Sequence, residues 1–192
     1  MRKILSMIAV LLMCSFVFAA ERPEAEISVG VGYGLQSMGT SVHGPAIDFY
    51  GASTWDNNIS FFCWDAFEFP LSASAGGVTL DRSYFDMLFG MDILCGAAYT
   101  FGRNSAWSFT LGGGLYLGWI WAVGGGSTGM DTLLGLGAMA RAMYNINESW
   151  YLSAGLRASF IFLDFARANG NSATISGQGS SIYAALSAGM RF

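Results

Sequence analysis

Beyond its first two dozen residues, this chain repeats one pattern: apolar side chains alternate at period two with glycine, alanine, serine or polar residues. In the first such stretch Ile27, Val29, Val31, Tyr33 and Leu35 lie on one face. Glu26, Ser28, Gly30, Gly32, Gly34 and Gln36 lie on the other. The same alternation runs through 85–101, 107–121, 134–146, 150–162 and 181–192. Period two is the side-chain repeat of a strand and not of a helix, so each stretch predicts a β-strand. Two weaker stretches fill the gap before residue 85. Residues 45–52 place Ile47 and Phe49 outward and Asp48 and Tyr50 inward. Residues 58–69 are phased with Phe62, Trp64 and Ala66 outward and Asp65 inward, because the opposite phase sets a carboxylate on an apolar face, which is expensive in lipid.

Composition decides what such strands build. Hydrophobic residues make up 53% of the chain and charged ones 11%, against about 25% charged in an ordinary soluble domain. Past the N-terminal segment no apolar run reaches the roughly 18 residues of a spanning helix. In lipid every backbone polar group must pair internally, and a closed barrel achieves this as fully as a helix does. The predicted fold is therefore all-β: an eight-stranded antiparallel up-and-down transmembrane β-barrel, its strand number even as single-chain bacterial barrels require. Short links near 53–57, 103–106 and 147–149 alternate with longer ones near 37–44, 70–82, 122–131 and 165–180, the asymmetry of inner turns and outer loops. A soluble β-sandwich would carry charge on its second face, whereas here that face is mainly Gly, Ala and Ser.

The N-terminus has the three-part layout of an export signal: Arg2 and Lys3, an apolar run from Ile4 to Phe18, then Ala19, Ala20 and Glu21. Cleavage after Ala19 puts Val17 three residues before the cut. Cleavage after Ala20 puts bulky Phe18 there, so the expected division is a signal over 1–19 and a barrel domain over 20–192. A lipid-anchored cysteine at Cys14 is disfavoured, since Met13 before it is not small. The mature chain keeps seven basic residues, all Arg, against thirteen acids, a net charge of −6. Phosphate recognition needs clustered Lys and Arg, so nucleic acid is not an expected partner.

Trp107, Tyr144, Trp150 and Phe192 mark one end of the strands, and Trp119, Trp121, Phe160 and Phe162 the other, as in aromatic girdles at two lipid interfaces. With these features the stretch 25–192 resembles the small outer-membrane barrels of the OmpA, OmpX and OmpW type. The alternating C-terminal segment ending in Met190 and Phe192 looks like the signal that the barrel-assembly machinery reads in that group. The resemblance implies outer-membrane lipid as surroundings, with periplasmic chaperones and the assembly machinery as partners during biogenesis. It implies either a structural and surface-interaction role, with a host or cell-surface ligand at the outer loops, or a narrow conduit for small or hydrophobic solutes. The chain stops at the barrel, so no periplasmic peptidoglycan-binding domain is expected.

The sharpest chemical feature is a set of inward charges. Glu26, Asp48, Asp65, Asp86 and Asp92 come from the first half of the barrel wall, and Arg141, Arg157 and Arg191 from the second. An eight-stranded barrel is just wide enough for side chains to fill it, so opposite walls can meet and buried charges need partners. Glu26 and Arg191 are expected to approach each other where the first and last strands close the ring, and Arg157 to meet Asp65 or Asp92. The many inward glycines leave room that keeps a conduit in play. No cofactor, metal site or enzymatic activity is expected. His43 is the only histidine, placed in an outer loop, and nothing marks it, Ser41 and Asp48 as a triad. Cys63 and Cys95 lie on adjacent strands, but pairing centred on the 70–82 link offsets them, so no disulfide is expected although an oxidising compartment permits one.

Overall fold

The computed structural model describes residues 24–55 and 57–192. The expected signal segment and its cleavage site therefore lie outside the described residues. The described chain forms ten antiparallel strands. They are β1 (Glu24–Met38), β2 (Thr40–Thr54), β3 (Ile59–Glu68), β4 (Ser72–Ala75), β5 (Val78–Asp81), β6 (Met87–Phe101), β7 (Trp107–Gly124), β8 (Ser127–Asn145), β9 (Trp150–Ala168) and β10 (Asn171–Arg191). Eight of them close into a ring in the order β1, β2, β3, β6, β7, β8, β9, β10, with β10 pairing back onto β1 from Glu26↔Arg191 to Ser37↔Ser180. The short β4–β5 hairpin stands outside the ring and pairs with the outer end of β2, Thr40↔Ala75 through His43↔Ser72.

The ring strands are longer than the pattern suggested. A strand crossing lipid needs about 9–11 residues, yet β7 has 18 and β10 has 21. The excess lies at the outer end, where residues expected to be loops are paired strand. Gly76–Gly77, Gly125–Gly126 and Asn169–Gly170 all have positive φ, from 49° to 84°. Two consecutive positive-φ residues make the type I′ turn whose twist matches a hairpin, so ladders run to Gly124↔Ser127 and Asn171↔Ala168. At the other end the connections 102–106 and 146–149 are ordinary polar turns.

The outward face is apolar and bare. Leu186, Val31, Leu115 and Leu136 are 68%, 66%, 60% and 57% exposed. A soluble monomer rarely shows a contiguous apolar patch beyond a few hundred Å², so this face is built for an apolar surrounding and the sandwich alternative is set aside. The inward face is packed: Phe62, Trp64, Leu94, Tyr116, Leu133, Ile161 and Tyr183 form one cluster inside the ring.

That cluster corrects the phase of β3. Phe62, Trp64, Ala66 and Glu68 point inward, and Phe61, Cys63, Asp65 and Phe67 outward. The opposite wall supplies the reason. Trp64 needs a trough, and Gly155 on β9 provides it: a Cβ there would overlap the Trp64 indole ring. The same phase sets Cys63 opposite Cys95, with Cα atoms 4.2 Å apart, and the two are joined by a disulfide, contrary to expectation. The expected offset assumed that β3 and β6 turn about the 70–82 link. The β4–β5 hairpin instead leaves the ring, and β3 meets β6 in a register from Glu68↔Gly90 to Ile59↔Tyr99.

Candidate functional site: a closed lumen

Charged and aromatic side chains fill the lumen in two tiers. In the lower tier, Glu26 on β1 receives both Arg141 and Arg191, at 3.3 and 3.4 Å. The Glu26–Arg191 approach is the one expected at the seam of the ring, and the β1–β10 register sets these residues directly opposite each other. Arg141 also donates to Ser28 Oγ (3.1 Å) and Ser153 Oγ (2.9 Å), and its guanidinium lies 3.6 Å from the centre of the Tyr50 ring. Arg191 donates to Asn145 Oδ1 at 2.9 Å. Below it this end of the barrel opens into a polar cleft of about 710 Å³ lined by Glu24, Arg103, Asn145, Glu148 and Phe192.

The upper tier is centred on Arg157. Its Nη2 pairs with Asp92, both groups being buried, and its Nη1 donates to the Trp64 carbonyl at 2.7 Å. The guanidinium lies 4.6 Å from the centre of the Tyr183 ring. Asp92 also accepts from Tyr116 OH at 3.3 Å, and Tyr116 in turn receives Gln36 Nε2. Asp48 accepts from Trp64 Nε1 at 2.7 Å and from Ser187 Oγ at 3.3 Å. Of the two partners expected for Arg157, the structure selects Asp92.

Two of the expected inward acids are elsewhere. Asp65 faces outward, as the phase of β3 requires, and Asp86 is exposed in the segment before β6. Three inward acids were missed: Glu68 on β3, Asp131 on β8 and Asp164 on β9. The last two also break the expected segregation of acids and arginines between the two halves of the wall. Period two could have found Glu68, because it has the opposite parity to Asp65. Asp131 lay in a segment read as a loop, and Asp164 just past the strand read over 150–162, beyond a register shift at Phe162.

Some inward glycines are troughs for side chains reaching across the lumen. A Cβ at Gly34 would collide with the Glu68 carboxylate, as one at Gly155 would with Trp64. His43 is in β2, not in a loop, and bonds Tyr33 OH and Ser72 Oγ, while Ser41 bonds Ser37. Asp48 lies on the other face of β2, inside the ring. At the C-terminus Met190 pairs with Ile27 and Trp150, and Phe192 is exposed at the rim of the barrel.

No family model and no curated protein sequence matches this chain. Solved structures do. Neisserial surface protein A (NspA) is 19% identical at a TM-score of 0.58, covering 87% of this chain and 95% of that one. OprG from Pseudomonas aeruginosa is 12% identical at 0.60, covering 88% and 96%. Ail, the attachment invasion locus protein of Yersinia pestis, is 12% identical at 0.53, covering 89% and 99%. The fold is that of the small eight-stranded outer-membrane β-barrels, as the resemblance implied.

Proposed function

We propose that this protein resides in the bacterial outer membrane as a barrel closed by its own side chains, and acts without catalysis through the surface its outer hairpins present. The observation that carries this reading is the upper tier: Arg157, Asp92, Trp64 and Tyr183 meet across the lumen, each almost wholly buried. The bare apolar girdle supports lipid as its surroundings. Met190 and Phe192 at the end of a ring strand support a role in recognition by the assembly machinery after passage with periplasmic chaperones.

Ail has been solved with the heparin analogue sucrose octasulfate. A polyanion needs bases, and the outer end here offers Arg82 and Arg167 against Asp81, Asp86, Asp131 and Asp164. Exposed Val78, Leu80, Tyr84, Phe165 and Ile175 dominate instead. The partner that suits this end is an uncharged or basic protein surface of the host or of another cell. A conduit draws on the inward glycines, but Gly34 and Gly155 are filled by Glu68 and Trp64.

Single-channel recording of the refolded protein in a planar bilayer tests closure. The wild type is expected to be silent, and Arg157→Ala, which removes the centre of the upper tier, to give steps. Reproducible steps from the wild type would overturn the reading.

A further inference from the structure

The outer mouth of the lumen holds two carboxylates with no base beside them among the described residues. Asp131 on β8 pairs with Ala166, and Asp164 on β9 with Leu133. They are therefore diagonal neighbours on adjacent strands, within reach of each other, and their charges interact unfavourably. Both belong to the inward face. Asp164 is 1% exposed, and neither of its carboxylate oxygens has a hydrogen-bond partner. Arg157, the inward base on the same strand, is engaged lower down by Asp92. Arg167 lies on the opposite face of β9 and is exposed. An unpaired buried carboxylate is costly, and a second one beside it raises the cost.

The tip of the β1–β2 hairpin completes the surroundings. It bends over the mouth, with Met38 buried inside the ring. Gly39, at φ 66°, sits directly on Asp164: a Cβ there would stand 3.2 Å from Oδ2. The next residue, Thr40, brings its side-chain hydroxyl into the neighbourhood of Asp131. The side-chain donors that three strands bring to this mouth are all oxygens: two from Asp164, those of its diagonal neighbour Asp131, and the Thr40 hydroxyl. Such a set suits a hard divalent cation, which binds oxygen at about 2.0–2.6 Å and completes its shell with water, and not zinc, which prefers nitrogen and sulfur.

We infer that Asp131, Asp164 and Thr40 form a site for a calcium-class divalent cation that ties the β1–β2 tip to the β8–β9 wall across the outer mouth. The ion neutralises the two carboxylates and couples hairpin closure to the divalent-cation level outside the cell. This does not depend on the identity of any hairpin partner.

The test uses the full mature barrel refolded in detergent, with thermal unfolding followed in EDTA and in rising calcium chloride. Calcium is expected to raise the wild-type midpoint with the logarithm of its concentration, by about 5–10 °C once it exceeds the dissociation constant about a hundredfold. Asp164→Asn and Asp131→Asn should lose that response while unfolding in EDTA at or above the wild-type midpoint, because each removes one of two repelling charges. Isothermal titration should give about one calcium per wild-type barrel and none for Asp164→Asn. An equal calcium response in wild type and both variants, or no calcium binding by the wild type, would overturn the site. If one variant fails to fold, the other and the wild-type titration still decide.

Discussion

Replacing Arg157 by Met tests the upper tier most sharply. The change keeps much of the aliphatic stem but removes the guanidinium. Asp92 then loses its buried ion pair, the Trp64 carbonyl loses a 2.7 Å donor, and Tyr183 loses a cation 4.6 Å from its ring centre. Both charged groups have side chains only 1% exposed, so water cannot take the place of the lost partner. Deleting one member of a buried pair costs about 3–5 kcal/mol, chiefly because the other charge is left behind. Arg157→Met is therefore expected to lower stability by about that amount in urea unfolding from lipid vesicles, read by tryptophan fluorescence. Asp92→Asn on the same background should restore at least about 2 kcal/mol, since it removes the stranded charge. A loss below about 1 kcal/mol, or a double variant no better than the single one, would refute the claim that this pair holds the lumen shut.

Other expectations follow from single contacts. The Cys63–Cys95 bridge closes a loop of 32 residues, worth up to about 4 kcal/mol by chain entropy. Reduction should lower the unfolding midpoint, and a maleimide should label Cys63 and Cys95 in the unfolded chain only after reduction; labelling before it would contradict the register. Gly114→Ala drives a Cβ into the Cys95 carbonyl oxygen and should cost about 1–3 kcal/mol, whereas Gly177→Ala meets nothing and should stay within about 0.5 kcal/mol. Equal effects in urea unfolding would count against the packing described. Asp65→Val places an apolar side chain on the outward face and should stabilise the barrel by about 1 kcal/mol in the same assay, where a loss would favour the inward phase.

The ring itself was legible because lipid outside and small residues inside enforce period two over long stretches, as in β1 and β7. The third strand was not. Ile59–Glu68 is apolar on both faces, and its two acids differ in parity, so bringing Asp65 inward must send Glu68 outward. What decides the phase is a trough on a distant strand, Gly155 for Trp64 and Gly34 for Glu68, which no local pattern displays. The disulfide failed for a related reason: the register of β3 on β6 depends on a hairpin that leaves the ring. Part of the outer end was readable in hindsight. Asn169–Gly170 and the Gly–Gly pairs are hairpin signals; read so, they would have extended β8 and turned Asp131 inward, whereas Asp164 faces inward only because the β8–β9 register shifts at Phe162, which reverses the parity of β9. The Glu26–Arg191 approach needed only closure of the ring.

The most direct test of a lipid-embedded barrel with this phasing is depth-resolved quenching of single-tryptophan variants, refolded into vesicles containing brominated lipid. Trp107 and Trp150 are 54% and 49% exposed on the outward face, whereas Trp64 is 1% exposed inside the ring. Strong quenching of Trp107 and Trp150 with little quenching of Trp64 is the expected result. Quenching of Trp64 as strong as that of the other two would place it against lipid and contradict both the phase of β3 and the closed lumen built on it.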